Sequence, residues 1–307
     1  MADQRPHLLT KIIATVGPAC RDVEKLARMI EEGVRVFRIN FSHGTFEGFE
    51  QARSLVRQAS EQTGVDAAIL GDLCGPKIRV GKVRDGGISC AAGDIIEFQK
   101  PEIVAGSEGL NEPPRADGSD AQRIRLSTTF APIIDDVRPG HRLLINDGHI
   151  RALVTEKTGS GDDAILHARV THGGLITSGK GINLPDSDLT TPSITDYDWK
   201  CAAWVIENDL DFIALSFVRK AEDVRELRAF LQQRNQAHGR DKTPPIIAKI
   251  EMPQALAQIE RIVDAADGIM VARGDLGVEM DLAEVPGIQK RLVRQAHDYG
   301  KPCIVAT

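Results

Sequence analysis

A chain of 307 residues and 33.4 kDa, 42% hydrophobic and 27% charged, has enough apolar material for one large α/β barrel or two ordinary domains, which excludes a disordered protein. Its net charge of −6 argues against nucleic-acid or anionic-membrane partners; no apolar run reaches a membrane span, the N-terminus lacks a signal-peptide core, and the expected location is the cytoplasm. Five scattered cysteines, none in a Cys-x-x-Cys pair, suggest neither a disulfide framework nor a zinc site.

In chain order, "KIIATVG" predicts a buried strand, "DVEKLARMIEEG" a helix closed by Gly33, and "VRVFRINF" a second strand. A helix over "TFEGFEQARSLVRQASEQTG" and a strand over "DAAILGDL" follow. From about residue 82 the pattern turns to short β-type runs, "DIIEFQ", "HRLLIND", "HIRALVTEK" and "DAILHARVTHGG", with a turn at Asn146-Asp147-Gly148 and a polar Gly/Pro loop over 109 to 122. We expect a small all-β domain over 82 to 182, inserted into a domain made of 1 to 81 and 183 to 307.

Beyond the insertion, Thr195 or Asp196 caps a helix, and strands over "DFIALSF", "PIIAKIE", "GIMVARG" and "KPCIVAT" alternate with helices over "KAEDVRELRAFLQQR", "PQALAQIERIVDAA" and "VPGIQKRLVRQAHDYG". Seven strands with single helices between them suggest an α/β fold of the (β/α)8 barrel type, incomplete here after strand seven. Periodicity alone leaves a doubly wound sheet open, although the Gly-rich dinucleotide turn of such sheets is missing.

Barrel chemistry gathers where strands end, and there the sequence places Arg38, Asn40, Ser42 and His43, then Asp72, Ser216, Lys249 with Glu251, Arg273 with Asp275, and Thr307. Each alone has a bland reading as a cap, a turn residue or a solvated charge; six strands supplying one rim do not. Lys249 and Glu251 project to one face, so a carboxylate could hold a metal while the ammonium meets an anion beside it; a plain buried salt bridge is the competing reading. With Asp275 as second carboxylate and no His or Cys partner, Mg2+ or Mn2+ suits the set. Arg38 and Arg79 could clamp a phosphoryl group, and "ARGDLG" forms a helix-start-like turn able to receive an anion.

"TKIIATVGPAC", "FRINFSHGTFE", "GPKIRVG", "GKGINLP", "SFVRKAEDV", "AKIE" and "GIMVARGDLGVE" occur in the order and spacing of the pyruvate kinase family, which the chain resembles from Thr10 to Thr307. The resemblance implies a TIM-type A domain, a β-barrel B domain inserted after strand three as a lid, and phosphoryl transfer from phosphoenolpyruvate to ADP, giving pyruvate and ATP, in a homotetrameric full-length form. It assigns Arg38 to phosphate binding and Lys249 to the migrating phosphoryl group. Glu251 and Asp275 become ligands of the divalent metal, Mg2+ or Mn2+, and Ala272, Arg273 and Gly274 the loop for the substrate carboxylate. Thr307 lies near the enolate carbon, and Asn40, His43, Arg79 and Lys180 serve the nucleotide. Met252 replaces a residue that is usually polar. The chain stops at Thr307, short of the family's eighth strand and C-terminal regulatory domain, so the expectation is a fragment with little activity alone. A metal-dependent pyruvate-enolate aldolase and a non-catalytic truncated product are the alternatives.

Many relatives hold K+ with groups matching Asn40, Ser42, Asp72 and the carbonyl of Leu73, and have glutamate at the position of Lys77. A K+-independent branch has lysine there, with leucine and an aliphatic residue at the positions of Leu73 and Val80. The resemblance therefore implies that Lys77 is an internal cation and that K+ is not required.

Overall fold

A computed structural model describes residues 10–84, 86–100, 102–105, 121–187, 189–237, 239 and 242–307. The polar loop expected over 109 to 122 lies outside them, save its last two residues.

The first strands are β1 (Ile12–Thr15), β2 (Val34–Asn40) and β3 (Ala68–Asp72), separated by helices α1 (Val23–Glu31) and α2 (Phe46–Thr63). Helix α1 starts where Asp22 accepts a hydrogen bond from the Lys25 amide, and turns Leu26, Ala27 and Ile30 inward. Burying Leu26 and Ile30 is worth roughly 1.5–3 kcal/mol each. Thr45 caps α2, and Gly64 ends it in the left-handed region, φ 63°.

The chain then builds β4 (Lys82–Val83), β5 (Ile88–Cys90), β6 (Ile95–Gln99), β7 (Val104–Ala105), β8 (Arg123–Ser127), the one-turn helix α3 (Ile133–Asp136), β9 (Arg142–Ile145), β10 (Ile150–Thr158), β11 (Ile165–His172), β12 (Gly174–Ile176) and β13 (Ile182–Asn183). Six of these strands form a mixed sheet in the order β13-β9-β10-β11-β6-β8, beside two-stranded ribbons β12-β5 and β4-β7. Asn146 and Asp147, with φ 55° and 53°, make the tight turn from β9 to β10 that their sequence predicts. The all-β expectation missed α3, whose apolar Ile133 and Ile134 are buried in the core of this sheet.

The remaining elements are α4 (Asp196–Glu207), β14 (Phe212–Leu215), α5 (Ala221–Ala237), β15 (Ile246–Ile250), α6 (Pro253–Ala257), α7 (Ile259–Ala265), β16 (Gly268–Ala272), α8 (Arg273–Glu279), α9 (Val285–Asp298) and β17 (Cys303–Ala306). All seven outer-segment strands pair in parallel, β1-β2-β3-β14-β15-β16-β17, and curl into an incomplete barrel. Alternate residues face opposite ways: Leu70, Ala214, Ile247 and Met270 cluster inside the curl, while Ile69, Ile213, Ile246 and Ile269 pack under the helices. Ile12 and Val305, on the edge strands, are 45% and 43% exposed.

One local expectation needs correction. The run 253 to 266 is two helices, because Gln258 leaves helical geometry while Ala255, Ile259 and Ile262 all stay buried. A helix does start within "ARGDLG", at Arg273. Among the described residues, no helix is long and apolar enough to cross a membrane.

Two chain crossings join the mixed sheet to the barrel, and they pair with each other: the Val80 amide donates to the Lys180 carbonyl and the Ile182 amide to the Ile78 carbonyl, at 2.8 and 2.9 Å. Asp198, fully buried, anchors the first crossing. One of its oxygens accepts from the Cys74 and Gly75 amides at 2.8 and 3.2 Å, and the other closes a capping box with Thr195. Gly75 sits at φ 67°, where an added Cβ would run into the Phe217 ring. Replacing Asp198 with alanine strands four donors, so Asp198→Ala should lose roughly 2–4 kcal/mol in urea unfolding. Thr195→Ala should lose about 1 kcal/mol, and a loss for Asp198→Ala no larger than that would count against the anchor.

Candidate active site

Parallel pairing sets the register of the site. Asn40 and Ala214 lie opposite Asp72, and Lys249 lies opposite Met270, so β2, β3, β14 and β15 bring their polar ends to one rim. A cleft of about 140 Å3 opens there, lined by Arg38, Asn40, Ser42, His43, Asp72, Leu73, Lys77, Arg79, Ser216, Lys249, Glu251 and Asp275. Four basic and three acidic side chains on one wall favour an anionic occupant.

At its floor sits a continuous polar network. The Lys249 ammonium donates to Glu251 Oε1 and Ser216 Oγ, both at 2.7 Å, and lies 3.4 Å from Asp72 Oδ1. Arg38 Nε donates to Asp72 Oδ2 at 2.6 Å, and its Nη1 to Thr15 Oγ1 at 3.0 Å. Ser216 passes its own hydrogen to the Leu73 carbonyl at 2.7 Å. Phe217 adopts φ 54°, a left-handed conformation costly for its side chain, and thereby points its amide at Glu251 Oε2, 2.8 Å away.

Burial pulls the Lys249 pKa down, but the Glu251 and Asp72 carboxylates outweigh it and hold the ammonium charged. For Glu251, burial pushes the pKa up and the field of Asp275 adds to it, against the opposing pull of Lys249 and the Phe217 amide. Two carboxylates that repel on one cleft wall suit a shared hard cation. Among the described residues no group of three or more His, Cys, Asp or Glu is arranged to hold a metal, so Glu251 and Asp275 would need water or substrate oxygens to complete its shell.

The sequence-derived residues divide. The cleft gathers Arg38, Asn40, Ser42, His43, Asp72, Leu73, Lys77, Arg79, Lys249, Glu251 and Asp275. Ala272, Arg273, Gly274, Lys180 and Thr307 lie outside its wall; Arg273 Nε donates to the Ala306 carbonyl at 2.7 Å, and Gly274 approaches the Thr307 backbone. Asp72 is engaged by Arg38 and Lys249, while Lys77 is exposed and makes no ion pair among the described residues. Sequence reasoning gave Ser216 no role beyond its rim position and missed Asp198 and Glu279. The box Thr195-x-x-Asp198 was a usable signal for Asp198; nothing local marks Glu279.

Glu279 is 3% exposed and accepts a 2.7 Å hydrogen bond from Asn183 Nδ2. Burial pushes its carboxyl up to about 7 despite that bond.

A sequence profile described as the barrel domain of pyruvate kinase matches residues 8–307. The chain is 39% identical to a pyruvate kinase of Corynebacterium efficiens over 97% of its length and 57% of the relative's. It is 38% identical to one from Geobacillus stearothermophilus, over 97% of this chain and 47% of that one. The crystal structure of a pyruvate kinase from Cryptosporidium parvum superposes with a TM-score of 0.85 at 32% identity, covering 97% of this chain and 57% of the other. The chain thus spans about half the length of the relatives it matches.

Glu279 generates a pH prediction. Its pKa rises from an ordinary 4.5 to about 7, so the folded state holds a proton that the unfolded state has released between those values. Stability contributed at low pH is therefore lost as pH rises through that window, by about 1–3 kcal/mol. Glu279→Gln should flatten this part of the stability profile in urea titrations from pH 5 to 8; an unchanged slope would show that Glu279 ionises as freely as an exposed carboxylate.

Proposed function

The chain belongs to the pyruvate kinase family, and from that premise we propose that its cleft transfers the phosphoryl group of phosphoenolpyruvate to ADP, with residues 1–81 and 183–307 as the barrel and 82–182 as a lid. The observation that carries this is the buried Lys249 ammonium, held between Asp72 and Glu251 at the floor of a cleft whose wall also bears Arg38 and Arg79.

Phosphoryl transfer needs neutralised equatorial oxygens and in-line placement more than covalent help. Lys249 supplies a fixed positive charge that cannot swing away, because three oxygens hold it from behind. Asp72 aims Arg38 by its Nε, leaving the Nη2 edge of the fork for phosphate. Glu251 and Asp275 would hold a Mg2+ or Mn2+ ion, which when bound draws off charge from the phosphoryl and enolate oxygens. Arg79 braces its guanidinium on the Gly179 carbonyl at 2.9 Å, placing a cation at the lid crossing for a nucleotide phosphate, with Asn40, His43 and Lys180 contributing on that side. Ala272, Arg273 and Gly274 receive the substrate carboxylate, and Thr307 orders the water that protonates the enolate carbon.

Lys77 lines the same cleft as Asn40, Ser42, Asp72 and Leu73 and has no ion-pair partner of its own among the described residues, which supports its reading as a tethered substitute for K+. The full-length enzyme then works without K+, in the cytoplasm, as a homotetramer.

Binding tests the reading directly. Isothermal titration should find phosphoenolpyruvate binding that requires Mn2+ and falls at least tenfold in Lys249→Met and in Glu251→Gln. A chain that binds neither phosphoenolpyruvate nor ADP in the presence of Mn2+ overturns it. The same affinity should be equal in K+ and in tetramethylammonium buffers, and Lys77→Glu should make it K+-dependent; K+ stimulation of the unsubstituted chain would remove the internal-cation assignment.

A further inference from the structure

The second crossing between lid and barrel ends at Asn183, the last residue of β13, which pairs with Leu144 of the lid sheet. Its Nδ2 donates to Oε1 of Glu279, the last residue of α8, across the junction at 2.7 Å. Helix α8 begins directly at the end of β16 and carries Asp275 in its first turn, one helical turn before Glu279. The β9–β10 turn comes near the same helix: a Cβ added at Gly148 would lie 3.8 Å from Val278 Cγ1.

Glu279 is built unlike an ordinary helix-end carboxylate. It is 97% shielded from solvent, yet among the described residues its Oε2 has no hydrogen-bond partner, and its Oε1 is satisfied from the end of the second crossing. Both Glu279 and Asn183 line a cavity of about 40 Å3 at the junction, and Thr191, whose buried Oγ1 is also without a hydrogen-bond partner among the described residues, belongs to its wall. Burying a carboxylate with one oxygen unsatisfied costs free energy, and here the Asn183 bond offsets part of it. If the lid swings out, that bond is lost and Glu279 regains water. The two changes oppose each other, so the contact can open and close with a small net free-energy difference, as a moving junction requires and a permanently packed core does not.

We propose that Glu279 and Asn183 form a reversible latch through which the position of the lid is transmitted to helix α8, and so to Asp275. Both are positioning residues; neither touches substrate. The inference rests on the reading of residues 82–182 as a lid over the phosphoryl-transfer cleft.

Amide hydrogen exchange on the full chain, without substrates, tests it. Glu279→Ala and Asn183→Ala should each speed exchange roughly five- to tenfold in both the crossing segments, residues 78–82 and 180–184, and in residues 274–280, as expected for one lost bond. The double variant should exchange no faster than either single one, because both remove the same contact. Glu279→Gln keeps an acceptor for Asn183 and should stay within about twofold of the unsubstituted chain. Should an alanine variant fail to fold, Asn183→Asp, which sets two carboxylates together, against Glu279→Gln carries the same comparison. Effects confined to the substituted element, additive effects in the double variant, or Gln behaving like Ala would overturn the latch. Because no substrate is present, failure here leaves phosphoenolpyruvate binding untouched, and failure of that binding leaves the exchange result standing.

Discussion

A buried ammonium has to be paired, and Lys249 is the group on which the rest of this structure depends. Removing it from water is tolerable only if carboxylates from elsewhere meet it, and they come from two directions: Glu251 on the same chain segment and Asp72 from β3, more than 170 residues earlier in sequence. Asp72 in turn fixes Arg38 from β2, and Ser216, directly after β14, ties the ammonium to the Leu73 carbonyl. Four neighbouring strands are thereby cross-linked at their carboxyl ends by polar contacts. The same contacts set the Lys249 and Arg38 cations, each beside a carboxylate, on the wall of an open cleft.

Around this floor the protein stores strain and desolvation where they serve geometry. Phe217 accepts a left-handed backbone in order to donate to Glu251, and Gly75 keeps free the space that the Phe217 ring occupies. Asp198 sinks a full carboxylate beneath the first lid crossing and satisfies it with backbone amides and its own cap. The two crossings are thus unlike each other: the first is tied to α4 by a fully satisfied carboxylate, the second to α8 by a carboxylate with one oxygen unpaired among the described residues.

Much of this was readable in sequence. Alternating apolar runs gave all seven barrel strands, and Thr45, Gly64, Thr195 and the Asn146-Asp147-Gly148 turn carried their own local chemistry. Strand-end polarity drew attention to Lys249, Glu251 and Asp275 because a charge at the end of a buried strand has no packing role. The break at Gln258 and the single turn of α3 were not readable, since both follow from which apolar side chains the core accepts rather than from any residue that stops or starts a helix.

The sequence by itself determined which residue types stand at which strand ends, because that follows from local period and needs no knowledge of neighbours. Tertiary structure alone decided the partners. Nothing local in the sequence says which cations Asp72 meets; parallel register brings it to Arg38 and Lys249. Glu279 could have been a solvated helix end, yet the fold buries it and brings Asn183 to it. Burial and pairing depend on what lies across the gap, and a one-dimensional chain carries no distance between residues 183 and 279.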